Sequence, residues 1–408
     1  MNILLFDKPQ DRIALKPLAD TRPLAHIRLG ITTLEEKWKQ ALPGNYSFLT
    51  APYLRKKFPS TEAPLNWCIN STICPSQALV ESIKQLQPHE QLVQEDTLLA
   101  FVVDQLTLQR FYHDDFEKLH AKKIAFEGSI TQVKNKWDIF LLNEEMLRQD
   151  FLWMRANKTS QPIQDPHTKV YNPTDILVEE GVAIKAAILN AESGPIYMGK
   201  NAIIHEGAII RGPVALGEGA QVNAGAKLYN ATTIGPYAKV GGEVSNAVIF
   251  GYSNKAHDGF LGNSVIGEWC NLGAGTTTAN LRNDYGAVKV WDYQREDFVR
   301  THLQFCGSFM GDYSKCSINT LFNAGTIIGV STNLFGVGFY DQLIPSFTRG
   351  EPASNSATYK LDKALAAAAR TMERRGKQLT EVDKQILTYL AEESLTTWMK
   401  LVLKPCAL

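Results

Sequence analysis

The stretch Met198-Gly-Lys-Asn-Ala-Ile-Ile-His-Glu-Gly-Ala-Ile-Ile210 opens the region that decides the fold of this chain. From there an apolar residue recurs at every sixth position, and a small or β-branched residue stands four places after each. Helices repeat at about 3.6 residues and half-buried strands at about 2, whereas a parallel β-helix repeats at the hexad. The apolar positions are Met198, Ile204, Ile210, Leu216, Val222, Leu228, Ile234 and Val240, and the small ones are Ala202, Ala208, Val214, Ala220, Ala226, Thr232, Ala238 and Val244.

The same rhythm returns twice further along the chain, which predicts a solenoid over residues 181–350. It is interrupted at 246–259, where the register slips, and at 281–305, where charged and aromatic residues replace the hexads. Such insertions protrude from one side of a coil, often the functional side. The apolar positions of the two later runs are Phe260, Ile266 and Leu272, then Met310, Cys316, Phe322 and Ile328.

The remaining sequence predicts three further segments around this solenoid. Residues 1–150 alternate apolar runs with helix-like polar stretches, which favours an α/β layer domain. Residues 151–180 contain three prolines and are expected to form a linker. Residues 351–408 read as a helical tail, since 360–375 is rich in helix-forming residues and Thr380 with Asp383 is typical of a helix N-cap.

The first tail helix carries a dense set of basic residues. Two interpretations are open: a solvated helix face, or a surface that helps to bind an anionic ligand at the end of the solenoid. The basic residues are Lys360, Lys363, Arg370, Arg374, Arg375 and Lys377.

Composition excludes several classes of protein. Lys plus Arg and Asp plus Glu number 42 each, so no global charge attracts nucleic acid or an anionic membrane. No apolar run approaches the roughly 20 residues of a membrane-spanning helix, and the opening residues meet Asp7 too early for a secretory signal. The 6 cysteines form no CxxC pair, which favours reduced thiols in a cytoplasmic protein. No histidine, cysteine or carboxylate cluster has metal-ligand spacing, so no metal-ligand cluster is expected in this chain.

The most specific motif is His257-Asp-Gly-Phe-Leu-Gly-Asn-Ser-Val-Ile-Gly-Glu-Trp-Cys-Asn-Leu-Gly-Ala-Gly-Thr-Thr-Thr-Ala-Asn280, followed by Leu281-Arg282. A later segment reads Gly311-Asp312-x-x-Lys315-x-x-Ile318-Asn319. Together they resemble the acetyltransferase half of the bifunctional N-acetylglucosamine-1-phosphate uridylyltransferase/glucosamine-1-phosphate acetyltransferase family, over about residues 181–335. The resemblance implies a left-handed parallel β-helix and a homotrimer.

The resemblance also implies roles for individual residues. His257 matches the catalytic base, and imidazole changes charge near neutral pH. Phe260 and Asn271 match sugar contacts. The family holds the sugar phosphate with basic residues in the coils before the histidine, but this chain has only Lys239 nearby. The positions that match contacts to acyl-CoA are Ala274, Asn280, Leu281 and Asp312.

A trimer needs a covered surface between its chains. Val248, Ile249, Phe250 and Tyr252 are apolar and fall in the slipped segment, outside the hexad register. Apolar side chains placed on a surface require a partner to cover them. We therefore expect these residues to contribute to the surface between chains.

The N-terminal segment Leu15-Lys-Pro-Leu-Ala-Asp-Thr-Arg-Pro-Leu-Ala-His-Ile-Arg-Leu-Gly30 is similar to a divergent sugar nucleotidyl-transferase domain. Members of that family follow the first strand with a glycine-rich turn whose amides surround a triphosphate. This chain has no glycine between Leu4 and Arg12, and Asn70-Ser71 stands where a metal-binding aspartate is expected. Mg²⁺ is therefore expected only if this domain is active. The candidate phosphate contacts are Arg12, Lys16 and Arg22.

Three classes of function remain open from the sequence. The first is an enzyme of nucleotide-sugar synthesis with nucleotidylyl- and acyltransferase-like halves, which uses a sugar phosphate, acetyl-CoA and, if the first half is active, a nucleoside triphosphate. The second is an acyltransferase whose N-terminal domain only binds. The third is a trimeric scaffold without catalysis. The motif from His257 to Asn280 argues against the scaffold, so acyl transfer is the chemistry that we predict.

Overall fold

The structure is a computed structural model that describes residues 1–111, 121–352 and 356–402. The chain divides into two compact units. The N-terminal unit comprises Met1–Leu15, Thr21–Ile27 and Thr32–Asn135, and the solenoid unit comprises Lys16–Asp20, Arg28–Ile31 and Lys136–Leu408.

The N-terminal unit is an α/β domain built on one mixed sheet of six strands. Strand β1 (Asn2–Phe6) pairs in parallel with both of its neighbours and is buried along its whole length, as its largely apolar sequence predicts. In spatial order the strands are β4 (Asn45–Leu49), β1 (Asn2–Phe6), β5 (Leu65–Asn70), β7 (Thr97–Asp104), β6 (Glu90–Gln94) and β8 (Lys122–Ala125). Two short strands are β2 (Arg28–Leu29) and β3 (Thr32–Thr33).

Eight α-helices occur in the described part of the chain. The second begins at a capping box, in which Thr33 and Glu36 each bond the other's backbone N–H. The helices are α1 (Pro9–Ala14), α2 (Leu34–Ala41), α3 (Gln77–Gln85), α4 (Gln105–Phe111), α5 (Asp138–Leu141), α6 (Asn143–Asn157), α7 (Leu361–Glu373) and α8 (Glu381–Val402).

The solenoid consists of three parallel sheets that the chain visits in turn. Sheet I holds β10 (Ile176–Val178), β13 (Ile196–Met198), β16 (Val214–Leu216), β19 (Thr232–Ile234), β22 (Val248–Gly251), β25 (Val265–Glu268), β30 (Phe309–Met310), β33 (Ile327–Ile328) and β35 (Leu343–Ile344). Sheet II holds β11 (Ala183–Ile184), β14 (Ile203–Ile204), β17 (Gln221–Val222), β20 (Lys239–Val240), β23 (Asn254–Lys255), β26 (Asn271–Leu272), β31 (Lys315–Cys316), β34 (Asn333–Leu334), β36 (Thr348–Gly350) and an antiparallel last strand, β37 (Ala357–Thr358).

The third face is shorter. Sheet III holds β9 (Lys169–Tyr171), β12 (Ile188–Asn190), β15 (Ile209–Arg211), β18 (Lys227–Tyr229), β21 (Glu243–Ser245) and β24 (Phe260–Gly262), and the separate pair β27 (Thr277–Thr278) and β32 (Leu321–Phe322) follows in the chain. The second predicted interruption forms an antiparallel hairpin of β28 (Lys289–Asp292) and β29 (Asp297–Arg300).

The predicted hexad register is confirmed over its longest run. All eight apolar residues from Met198 to Val240 are fully buried in one continuous core, and the small residues between them are buried too. The six-residue period therefore identifies the residues that point into the coil, because each strand contributes one inward side chain and each corner one small residue.

The first interruption shifts the register. Phe260 was predicted to point inward, but Leu261 holds that place, paired with Val244, and Phe260 is half-buried. Val240 is paired with Lys255, so a lysine occupies the inward position of sheet II at this level. The chain from 246 to 259 keeps its strand pairing, because the coil is shortened rather than broken open.

The prediction that Val248, Ile249 and Phe250 form a surface between chains is wrong. All three are buried within the single chain, on strand β22. Helix α6 and Ile31 cover the outer face of sheet I at β10, β13 and β16, where they pack on Leu177, Tyr197 and Ala215. The Phe250 carbonyl accepts a hydrogen bond from Arg28 Nε at 3.1 Å. Segments of the same chain therefore cover the outer face of sheet I, where a partner chain was expected to do so.

The expected linker at 151–180 is largely ordered structure. Its start continues α6, where Leu147, Phe151 and Met154 recur at helical spacing and pack on the solenoid. Its end contains β9 and β10, which pair in parallel with the next coil. The prolines of this segment stand between these elements, so they mark turns rather than a flexible connection.

The C-terminal segment forms the two predicted helices. Thr380 and Asp383 make the expected reciprocal cap of α8, with Asp383 N–H donating to Thr380 Oγ1 at 3.2 Å. Residues 353–355 and 403–408 of the predicted tail lie outside the described residues, as does Cys406. The other five cysteines are buried free thiols. Among the described helices, none has the length and apolarity needed to cross a membrane.

Candidate active site

His257 lines a cavity of about 620 Å³ in the solenoid unit. Its side chain is exposed and follows β23 at a corner of the coil. Asn271, the predicted sugar contact, lines the same cavity together with Tyr252 and Asn254. The structure therefore brings together two of the residues that the motif selected.

The floor of the cavity is a column of polar side chains on sheet II. Lys239, Asn254, Asn271 and Lys315 are register partners on four successive strands, each directly above the last. Successive strands are about 4.8 Å apart, so the two lysines stand about 14 Å from each other with the two amides between them. Asn254 donates to Asn271 Oδ1 at 3.3 Å, which ties the middle of the column together.

The opposite wall is one face of α7. Ala367, Arg370, Thr371 and Arg374 recur at i, i+3, i+4 and i+7 and line the cavity, followed by Arg375. The adjacent face of the same helix is buried and consists of Ala364, Ala368 and Met372. Three of the six basic residues of the first tail helix, Arg370, Arg374 and Arg375, line the cavity, so the interpretation as a purely solvated face is incomplete.

Lys255 supports the corner that carries His257. Its side chain is buried in the core of the coil, where its Nζ donates to the carbonyl of Gly241 at 3.2 Å and to the carbonyl of His257. Burial lowers the pKa of Lys255 to about 8, and Asp258 partly opposes that change. A buried ammonium is tolerated where hydrogen bonds satisfy it, and here the bonds fix the backbone beneath the candidate base.

The cavity carries a strong positive charge. Lys239, Lys315, Arg370, Arg374 and Arg375 line it, and no carboxylate is among its described lining residues. Burial lowers the pKa of Lys315 to about 8. Burial and then the charges of Arg375 and Arg374 lower the pKa of Lys239. These groups repel one another, so an anion bound between them would be stabilised.

Phe260 and Asn280 form a second group, and neither is among the described lining residues of this cavity. Both lie against Gly262 on sheet III: a Cβ atom built there would stand 2.4 Å from the Phe260 ring and 2.8 Å from Asn280 Nδ2. Asn280 also donates to Asn263 Oδ1 at 2.8 Å.

The other residues predicted to contact acyl-CoA have structural partners. The Ala274 carbonyl accepts from the backbone of Asn319 at 2.7 Å, and Leu281 forms a β-bridge with Phe305. Asp312 is buried, and its Oδ1 accepts from the Glu268 N–H at 2.8 Å. None of the three is among the lining residues of the cavity.

The predicted phosphate contacts of the first half are engaged within the protein. Arg12 is buried, pairs with Asp7 at 2.9 Å and donates to Tyr53 at 3.0 Å. Arg22 is buried as well, and its carbonyl accepts from Arg12 at 3.1 Å. Lys16 belongs to the solenoid unit and pairs with Glu393 at 2.7 Å. Arg12 and Arg22 are therefore not on an open surface of the N-terminal unit.

The residues present do not fit a Mg²⁺ site at the ends of β1 and β5. The Asp7 carboxylate accepts from Arg12, Thr50 and the Leu24 N–H, which occupies its oxygens. Asn70 is fully buried; its amide donates to the Leu98 carbonyl at 3.1 Å, and its oxygen accepts from Thr72. Asp104 pairs with Leu65, at the opposite end of β5, so it cannot replace the missing carboxylate.

Sequence reasoning missed one ionisable group in the N-terminal unit. Asp11 is on α1, directly after β1, and burial raises its pKa to about 6, with Lys8 opposing the change. Its Oδ2 is buried without a hydrogen bond among the described residues.

Sequence reasoning also missed three site residues in the solenoid: Tyr252, Asn254 and Lys255. They lie in the segment where the hexad register fails, so no sequence pattern indicated which of them point inward.

Two architectures joined in one chain define the class of protein: an α/β domain followed by a hexapeptide solenoid with a histidine at its cavity. Residues 3–159 match the sugar nucleotidyl transferase family. The bifunctional protein GlmU of Methanocaldococcus jannaschii is 32% identical over 254 residues, which are 60% of this chain and 51% of that protein. The bifunctional sugar-1-phosphate nucleotidylyltransferase/acetyltransferase of Sulfurisphaera tokodaii is 32% identical over 53% of this chain and 47% of its own length.

A third relative is covered more completely. The uncharacterized acetyltransferase YaiX of Escherichia coli is 36% identical over 163 residues, which are 40% of this chain and 70% of that protein. The chain belongs to the GlmU-like family, in which a sugar nucleotidyl transferase domain is joined to a hexapeptide acetyltransferase domain. It matches about half the length of the archaeal relatives.

Proposed function

We propose that this protein is an acyltransferase of nucleotide-sugar metabolism, which moves an acetyl group from acetyl-CoA to an amino-sugar phosphate or a related sugar. The observation that supports this most is the joint placement of His257 and Asn271 in one polar, positively charged cavity. The similar protein of Sulfurisphaera tokodaii is named as a bifunctional sugar-1-phosphate nucleotidylyltransferase/acetyltransferase. A phosphorylated sugar fits such a cavity because its hydroxyls suit the amides and its phosphate suits the cations.

In this mechanism His257 is the general base. Its neutral imidazole accepts a proton from the acceptor amine or hydroxyl as that group attacks the thioester carbonyl. The new C–N or C–O bond forms, the C–S bond breaks, and the imidazole returns the proton to the departing thiolate. Asn271 holds a hydroxyl of the sugar, while Lys255 keeps the His257 backbone in place.

The test is acetyl-CoA turnover by the full chain with glucosamine-1-phosphate and a panel of other amino-sugar phosphates. Loss of a general base costs about 10²- to 10⁴-fold in rate, so His257→Ala should lose at least a hundredfold in kcat while melting at the wild-type temperature. His205→Ala is the matched control, because His205 follows β14 of the same sheet but does not line the cavity. A folded His257→Ala protein with full turnover would refute the mechanism.

A second role is supported for the N-terminal unit: binding or positioning without nucleotidylyl transfer. The Asp7–Arg12 pair and the internally bonded Asn70 occupy the places where the triphosphate and its Mg²⁺ would need free groups. A pyrophosphate-release assay with sugar-1-phosphates and each nucleoside triphosphate tests this. Release at ordinary enzymatic rates would contradict it.

The protein is further proposed to work as a homotrimer in the cytoplasm. Phe260 and Asn280 are not among the described lining residues of the His257 cavity of one chain, and this supports assembly, because a neighbouring copy can complete a site to which one chain contributes only part. Sedimentation equilibrium at micromolar concentration should give three times the chain mass, and a monomer would exclude the trimer.

A further inference from the structure

Helix α7 runs along the column of polar residues on sheet II. Near its start, Tyr359 Oη lies 3.5 Å from Asn333 Nδ2; further on, Tyr313 Oη lies 3.8 Å from Met372 Sδ; at its end, Arg375 donates to Asn254 Oδ1 at 2.9 Å. The helix therefore crosses the strands one after another. Its last turn is above the part of the column that contains Lys239 and Asn254.

This course concentrates cations at one end of the cavity. Lys239 approaches from the sheet, and Arg374 and Arg375 approach from the end of α7. Burial and then the charges of Arg375 and Arg374 lower the pKa of Lys239, and burial and then the charge of Arg374 lower that of Arg375, as expected for cations that lie close together. Within the described residues, neither Arg374 nor Lys239 forms an ion pair, so no carboxylate of the described chain compensates this charge.

We propose that Lys239, Arg374 and Arg375, which we call the tail cluster, bind the phosphate monoester of the acyl acceptor. The helix end supplies the positive charges that the coils before His257 lack, since 241–246 contains no lysine or arginine. Guanidinium groups suit this task because they donate paired hydrogen bonds to phosphate oxygens. Helix α7 is then part of the substrate site. The proposal rests on acyl transfer at His257 and names the group by which the acceptor is held.

Acetyl-CoA also carries a phosphate monoester, so the same chemistry has two sources. The location favours the acceptor. The tail cluster shares its cavity with Asn271, a predicted sugar contact, whereas Ala274, Leu281 and Asp312, the predicted acyl-CoA contacts, are not among the cavity's lining residues. The cluster should therefore distinguish glucosamine-1-phosphate from glucosamine and leave the affinity for acetyl-CoA unchanged.

Calorimetric titration of the full chain tests this without requiring turnover. Glucosamine-1-phosphate and inorganic phosphate should bind the wild type, more weakly as salt is raised. Arg374→Ala, an exposed position, should weaken glucosamine-1-phosphate binding about tenfold or more, as removal of a charge-assisted hydrogen bond does. Lys239→Ala should act in the same direction. Lys363→Ala is the matched control: it removes the same charge from an exposed part of α7 outside the cavity, and it should bind like the wild type.

The outcomes separate this proposal from acyl transfer. Phosphate binding that depends on the tail cluster, in a protein without turnover, would support the anion site and refute the acyltransferase function. Turnover with a KM for the sugar phosphate that Arg374→Ala and Lys239→Ala leave unchanged would refute the anion site alone. Two further results would overturn the assignment: failure of the wild type to bind either phosphate probe, and a loss of affinity confined to acetyl-CoA.

Discussion

Lys255 Nζ donates a hydrogen bond to the backbone carbonyl of His257, two residues further along the chain. The donor is inside the coil and the imidazole is outside it, so a side chain in the core holds the corner that presents the candidate base. The position that Lys255 fills is elsewhere taken by aliphatic residues such as Val240 and Leu272. This exception to an apolar core is found directly beneath the proposed catalytic residue.

Replacement of Lys255 by methionine should reduce acyl transfer more than it reduces stability. The variant keeps a long apolar stem but removes the donor to the His257 carbonyl, so we expect kcat to fall about tenfold to a hundredfold with little change in KM. Exchange of a buried charge for an apolar group of similar size is often neutral or stabilising. Steady-state kinetics and a thermal melt check both parts. A variant with wild-type kcat would remove Lys255 from any positioning role.

The same substitution should change how stability depends on pH. The folded-state pKa of Lys255 is about 8, against 10.5 in the unfolded chain, so between these values the unfolded state binds the extra proton. Wild-type stability should therefore rise relative to Lys255→Met as pH increases from about 8 towards 10. Melting temperatures of both proteins at pH 7.5 and 9.5 measure this, and parallel profiles would contradict it.

Asp11→Asn should stabilise the N-terminal unit at neutral pH. Burial raises the pKa of Asp11 to about 6 from 3.8, so the charged carboxylate destabilises the fold above pH 6 and the proton restores that loss below pH 4. The advantage of the variant should appear between pH 4 and 6 and stay constant above. Urea unfolding at pH 4 and 7.5 checks this, with Asp96→Asn at an exposed turn as the charge-matched control. An equal difference at both pH values would count against it.

Phe250→Ala should destabilise each chain by itself. Phe250 is 2% exposed within the single chain, and truncation of a buried aromatic residue costs about 3–5 kcal/mol. The loss should be the same at low and high protein concentration, whereas a residue between chains would give a concentration-dependent loss. Val337→Ala, at a side chain 98% exposed, should change the free energy of unfolding by less than about 0.5 kcal/mol.

Gly235→Ala should be far more damaging than Gly225→Ala. A Cβ atom at Gly235 would stand 1.8 Å from the Phe250 carbonyl oxygen, so the backbone of the next coil would have to move. At Gly225 nothing lies within 4 Å, and the cost is that of a left-handed φ of +69°, about 1–2 kcal/mol. Soluble yield and melting temperature of the two variants should differ in this order. Equal stability would show that the coils are not packed this closely.

The solenoid was predictable from the sequence because its information is local. Each hexad meets only the hexads above and below it, so the inward residues from Met198 to Val240 follow from spacing alone. The cap formed by Thr380 and Asp383 followed for the same reason, since both partners are within one turn of chain. Prediction failed at Phe260 by one residue, because a shortened coil resets the register and only strand pairing reveals by how much.

The sequence by itself therefore determined the β-helix, the α/β domain before it, the helices after it and the motif around His257. Only the tertiary structure decided that α6 covers Tyr197 and Ala215 on sheet I, that Lys255 points inward, and that α7 brings Arg375 to Asn254, 121 positions earlier in the chain. The physical reason is the separation in sequence between the residues whose contacts decide each feature. A six-residue period is set by contacts between successive coils, whereas the partner of a helix face is set by the burial of apolar surface far away in sequence.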